Sequence, residues 1–229
     1  MEIDPQRIAY AAIAYPVLLF SLCLHEWGHA MSAKLFGDPT AEAQGRLTMN
    51  PLSHMDPIGT VLFPLIMLLN PMGTGVYLFG WARPVPVNPV HMRRLKDIVW
   101  VSLAGPGSNL ALAVGCAVAY KVYLMTGGVF DPAAMWTSSD DVVQNLLAIG
   151  ISINLLLMWF NLLPITPLDG SKVLLANIPG HSRTMPFWQT YEQYGPFILL
   201  ILLFTGGLFK ILEYPLIWSH WAVLSILIH

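Results

Sequence analysis

IAYAAIAYPVLLFSLCLHEWGHAMSAKLF, residues Ile8 to Phe36, decides how the whole chain is read. From Ile8 to Leu24 the stretch carries no charged residue, and only Pro16 interrupts its helical character. A helix rising 1.5 Å per residue crosses a hydrocarbon core about 30 Å thick in roughly 20 residues. This run is long enough to do so. Its second half then places His25, Glu26 and His29 inside an apolar helix. Ionisable groups at membrane depth are costly and mark a functional site by default.

Composition agrees with a chain solvated by lipid. Of 229 residues, 55% are hydrophobic and 10% charged, against about 25% charged in an average soluble domain. The mean hydropathy is +0.60. A net charge of −2 gives no case for nucleic-acid binding. Cys23 and Cys116 lie far apart in apolar runs and make no disulfide framework. Glu2, Asp4 and Arg7 do not resemble the basic start of a cleavable signal, so the first helix is expected to stay in the mature protein.

Outward from this helix, Gly37–Pro57 reads as a polar loop with room for short membrane-associated strands. Ile58–Leu69 is apolar but too short to span, is broken at Asn70-Pro71-Met72-Gly73, and resumes from Val76 to Trp81. It is expected to be a re-entrant segment. A Pro-rich extended stretch, Arg83–Lys96, leads to two further spanning helices, Ile98–Met125 and Val142–Leu163, separated by the acidic loop Thr126–Asp141. A polar connection to about Gly195 precedes two C-terminal hydrophobic helices, Phe197–Leu212 and Leu216–Ile228, of marginal length. The expected fold is an all-α polytopic membrane protein in one domain, 1–229. Its catalytic core covers about 8–175 and its C-terminal helices about 196–228. Gly107, Ala111, Gly115 and Ala119 suggest a close-packing face on the second spanning helix. The basic group Arg83, Arg93, Arg94 and Lys96 orients its loop to the cytoplasm.

His25-Glu26-Trp27-Gly28-His29 is an H-E-x-x-H on a helix. Imidazoles at i and i+4 lie one turn apart on one face and can share a Zn²⁺, while the intervening glutamate sits close enough to take a proton from an activated water. With 7 His in 229 residues, chance would supply the pattern on the order of 0.005 times. A third ligand is needed, and the best candidate is Asp169 in NLLPITPLDG, Asn161 to Gly170. Pro164 and Pro167 end the third helix, and irregular backbone at membrane depth is tolerated only around a cavity or site. Gly170 lets the chain fold tightly behind the carboxylate. Depth agrees: His25 lies roughly 25 Å along the helix from Ile8, in the cytoplasmic third of the membrane, where the third helix delivers Asp169.

Taken in order, HEWGH, NPLSHMDPIGT (Asn50–Thr60), GWARPVPVNP (Gly80–Pro89), AGPGSNL (Ala104–Leu110) and NLLPITPLDG cover nearly two thirds of the chain. This set resembles the site-2 protease family, in its compact bacterial and archaeal branch without PDZ or CBS domain. The resemblance implies an intramembrane zinc metalloprotease, one Zn²⁺ per chain on His25, His29 and Asp169, with Glu26 catalytic. It also implies that Asn161 assists near the reacting carbonyl or the substrate strand. The implied partner is a single-pass membrane protein already trimmed by another protease.

Other polar residues have plainer readings beside functional ones. Asn109 and Asn154 are expected first to bond across to neighbouring helices, and second to support the ligands or the substrate. His54 is either a supporting donor, a residue lining the site, or a loop histidine. His91, His181, His220 and His229 have no partner spacing and are expected to be solvated or interfacial. A metal-binding transporter would also explain polar groups at depth, and an inactive pseudoprotease scaffold is the other rival. Glu26 argues against the transporter, because a transport site gains little from a carboxylate at the base position.

Overall fold

The structure, a computed structural model, describes residues 5–69, 80–128, 141–179 and 185–228. All regular structure among them is helical. The principal elements are α1 (Pro5–Leu35), α2 (Thr40–Ala43), α3 (Phe63–Leu69), α4 (Ile98–Met125), α5 (Val142–Leu162), α6 (Asp169–Ala176), α7 (Pro186–Phe204) and α8 (Gly207–Ile228). Among the described residues α1, α4 and α5 are long and apolar enough to cross a membrane. The pair α7 and α8, bent by 80° at Thr205–Gly206, makes a fourth if counted as one broken span.

α5 is the central post. Tyr10, Ala14, Leu18 and Leu22, one per turn of α1, pack on Ile149, Ile153 and Leu157. Ala113, Ala117 and Tyr120 of α4 meet Ala148, Ile151, Leu155 and Met158 on another side. In lipid, apolar contact alone does not drive helices together, so fit and buried hydrogen bonds must. Asp141 caps α5 through Gln144 N–H at 3.0 Å and also accepts from the Tyr123 hydroxyl, tying this end of α5 to α4.

Several expectations need correction. The face Gly107–Ala111–Gly115–Ala119 is not the packing face of α4. Ala111 and Ala119 are exposed, and a methyl group added at Gly107 or Gly115 would meet nothing within 4 Å among the described residues. The buried face is Val101, Gly105, Asn109, Ala113 and Ala117, two positions away and so nearly opposite. At the C-terminus the helices start and break elsewhere than expected. α7 begins at Pro186 inside the supposed polar connection, and the break falls at Gly206, which has a φ of 73°, while Pro215 stays inside α8. The short helix α6 also occupies that connection. No strand forms among the described residues, including those of Gly37–Pro57.

The stretch Ile58–Trp81, expected to be re-entrant, is partly described. Pro57–Leu62 forms a wide helical turn leading into α3. Its far end returns to its start: Trp81 N–H donates to Gly59 O at 3.3 Å, and the Trp81 ring lies against Gly59. The break at Asn70–Gly73 and most of Val76–Trp81 lie outside the described residues, as do Asp131, Asp140, His181 and His229.

Candidate functional site

α1 carries His25, Glu26 and His29 on the side facing α4 and α5, and each is more than nine-tenths buried. Asp169 arrives from the other direction. α5 ends at Leu162, Pro164 prevents its continuation, and the chain turns back so that Asp169 opens α6. Gly170 makes the turn possible, since a methyl group there would collide with the carbonyl oxygens of Leu162 and Leu163. The result brings Nε2 of His25, Nε2 of His29 and Oδ2 of Asp169 together. The nitrogens are 3.0 Å apart, and the oxygen lies 3.2 Å and 3.0 Å from them.

The other ring nitrogens fix what these three atoms present to one another. His29 Nδ1 lies 2.7 Å from the backbone oxygen of Val101, which can only accept. His25 Nδ1 lies 2.7 Å from Asn109 Oδ1. The Asn109 amide is oriented in turn, because its Nδ2 donates to Asn154 Oδ1 at 2.9 Å and to Ser21 O at 3.3 Å. Asn154 Nδ2 donates to Ser21 Oγ at 2.9 Å and to Gly150 O at 2.8 Å. Both Nδ1 atoms therefore carry their hydrogens, and both Nε2 lone pairs turn inward beside a carboxylate oxygen. Three electron-pair donors about 3 Å apart repel one another unless a cation lies among them, and tetrahedral zinc with bonds of about 2.0–2.1 Å sets such a separation. The donor set fits a zinc ion.

Glu26 is not part of that cluster. Its Oε2 accepts the backbone N–H of Val85 at 2.7 Å. Val85 lies in a proline-interrupted extended strip, and two further N–H groups of that strip are also engaged. Arg83 donates to His54 O at 2.8 Å, and Asn88 donates to Asp38 Oδ2 at 2.7 Å. Asp38 also accepts from the Thr40 hydroxyl and backbone. Burial alone would push the Asp38 carboxyl up, but the donors from Thr40, Asn88 and His91 hold it below the usual range.

A cavity of about 810 Å³ opens beside the cluster. Glu26, His29 and Asp169 line it, and its walls are mostly apolar, with Trp81, Phe160 and Leu203 among them. Asn161 lines it too, with its amide donating back to Leu157 O at 2.9 Å and no bond to the three clustered residues. Ser102 also lines it, and its buried hydroxyl has no hydrogen-bond partner among the described residues.

Asn109 and Asn154 bond across helices as expected, and the same bonds reach His25. His54 joins neither the cluster nor the cavity wall: its Nε2 bonds Thr48 O at 2.9 Å, because the short turn Pro51–Ser53 folds it back on its own loop. His220 is neither solvated nor interfacial. It is buried, with Nε2 3.1 Å from Ser152 Oγ, and joins α8 to α5. Sequence reasoning missed Ser21, Val85, Val101 and Gly105. A methyl group at Gly105 would run into the rings of both His25 and His29, so its small size admits them.

The profile of peptidase family M50 matches residues 126–205, which include α5, the Asp169 turn, α6 and α7. Among curated proteins the chain is 39% identical over 203 residues to "Putative zinc metalloprotease YwhC" of Bacillus subtilis (strain 168), covering 87% of this chain and 83% of that one. It is 32% identical over 194 residues to "Putative zinc metalloprotease Rip2" of Mycolicibacterium smegmatis, covering 83% and 66% respectively. It is 32% identical over 206 residues to the protein of the same name in Mycobacterium tuberculosis (strain ATCC 25618 / H37Rv), covering 86% and 70%. No solved structure matches the chain significantly. With relatives of this similarity and coverage, the chain belongs to peptidase family M50, the site-2 protease family.

Proposed function

We propose that this protein is an intramembrane zinc endopeptidase that hydrolyses peptide bonds in or near transmembrane segments of membrane proteins. The observation that carries this reading is the convergence of His25, His29 and Asp169 on one point, with Glu26 facing the same apolar cavity. Zinc held by the three ligands would supply Lewis acidity, polarising a peptide carbonyl and acidifying a water molecule.

The chain's own residues do the rest. Glu26, held through Oε2, has Oε1 free to take the proton of the attacking water and to return it to the leaving amine nitrogen. Asn161, on the cavity wall, is the proposed polar contact for the substrate near the scissile bond. The apolar walls keep bulk water out and receive apolar side chains. A helical substrate hides its carbonyls in its own hydrogen bonds, so it must unwind locally to present one. The proposed substrate is a single-pass membrane protein trimmed beforehand, a short unwound segment of which would enter the cavity.

The proposed setting is the cytoplasmic membrane of a prokaryote, with the basic foot of α4 inside and the site towards the cytoplasm. The test is purified protein in detergent or vesicles, assayed for zinc and for cleavage of a transmembrane peptide. Near-stoichiometric zinc is expected, with cleavage lost to a chelator and regained on adding zinc. Protein without zinc, or cleavage indifferent to chelation, would count against the reading.

A further inference from the structure

The two oxygens of Asp169 have different neighbours. Oδ2 faces the two Nε2 atoms, while Oδ1 accepts from Lys172 Nζ at 2.8 Å. Lys172 lies three residues further along α6, so the pair sits on one helical face. The carboxylate is buried, with 6% side-chain exposure, whereas the lysine is half exposed and lines the cavity. A carboxylate can give a metal one oxygen or two, and rotation of its terminal torsion decides which. That torsion is broad and nearly two-fold, so little intrinsic preference opposes rotation.

We propose that Lys172 is a positioning residue for the metal ligand. By holding Oδ1 it turns Oδ2 alone to the histidines, keeps Asp169 a one-oxygen donor, and so preserves the open coordination that a catalytic zinc site needs. Glu26 shows the same division of labour, with Oε2 given to Val85 N–H and Oε1 left over. The aspartate is buried, and this sets the pair apart from an ordinary surface ion pair, which contributes little. No other side chain among the described residues bonds Oδ1 of Asp169.

The proposal rests on the zinc reading above, and its test separates the two. Full-length wild type, Lys172→Met and Lys172→Arg are purified in detergent and compared in helicity, in zinc affinity by competition with a chromophoric chelator, and in the visible spectrum of the Co²⁺-substituted protein. Lys172→Met is expected to stay helical and to bind zinc 10- to 100-fold more weakly, the usual cost of losing a group that orients a ligand. Its Co²⁺ bands should weaken as the freed carboxylate adds its second oxygen and raises the coordination number. Lys172→Arg keeps a charged donor and should stay within about threefold of wild type, with the wild-type spectrum. Wild-type affinity and spectrum in Lys172→Met overturn the proposal alone. So does equal weakening of both variants, which would mean that the position matters only for packing. A wild type that holds no zinc overturns the functional reading and this proposal with it.

Discussion

At the scale of single residues, the proposed site keeps the three residues assigned to a metal apart from the one assigned to proton transfer. Glu26 has no bond to the histidine–aspartate cluster, and its fixed oxygen is engaged by Val85. Glu26→Gln should therefore retain near-stoichiometric zinc while cleavage falls by about 10²- to 10⁴-fold, the range for losing a positioned base. Zinc loss in that variant, measured by metal analysis, would contradict the division of roles. Asp169→Ala should lose both cleavage and most of the metal, since two imidazoles on one helix make an incomplete site. Full zinc and activity in that variant would put the third ligand elsewhere. These residues were legible in the sequence because imidazole and carboxylate chemistry is visible in the letters. Val85 and Val101 were not, because they act through backbone atoms that every residue has. Ser21 was hidden for another reason, since its partners Asn109 and Asn154 are 88 and 133 residues away.

Among elements, the crossing of α1 and α4 sets the site. A helix that is apolar all round does not announce which face it buries, and α4 offers two stripes of small residues. The stripe containing Gly105 is chosen because the histidine rings need its space and Asn109 on the same face needs His25. Gly28 makes the reciprocal allowance on α1, where a methyl group would strike Ser108 and the Ala104 carbonyl. Gly105→Ala should consequently weaken zinc binding on the order of tenfold and destabilise the fold by about 1–3 kcal/mol through overpacking. Gly107→Ala, two residues away, should change neither. Equal behaviour of the two variants in chelator competition and thermal melts would refute this assignment of faces. The C-terminal break was misplaced for a related reason. Pro215 looks like a helix breaker in the sequence, yet membrane helices accommodate proline where neighbours take up the freed carbonyl.

For the whole molecule, the ligands gather at one end of the three long helices. His29 meets the start of α4, and Asp169 follows the end of α5. α1 and α5 therefore run in the same direction and α4 against them, which the depth of His25 and the helix order had already indicated. The meeting of Gly59 with Trp81 likewise brings both ends of the Ile58–Trp81 stretch to one place. In a background lacking Cys23 and Cys116, a cysteine at Thr126 should react with an impermeant thiol reagent added outside. A cysteine at Arg93 should react only after permeabilisation. The reverse pattern would invert the proposed orientation while leaving the site intact. The buried chain Ser21–Asn154–Asn109–His25 takes a member from each of the three long helices. Each helix can insert alone only by leaving an amide or an imidazole facing hydrocarbon, and those groups find their partners when the helices come together laterally. Completing the hydrogen bonds that orient His25 and bringing the three helices together are then a single event. A chain with Asn109→Leu should insert normally yet melt earlier, by roughly 1–2 kcal/mol of lost interhelical bonding. Such a chain would present unsatisfied polar groups within the lipid, where cellular quality control could detect an unfinished protease before it ever holds a metal.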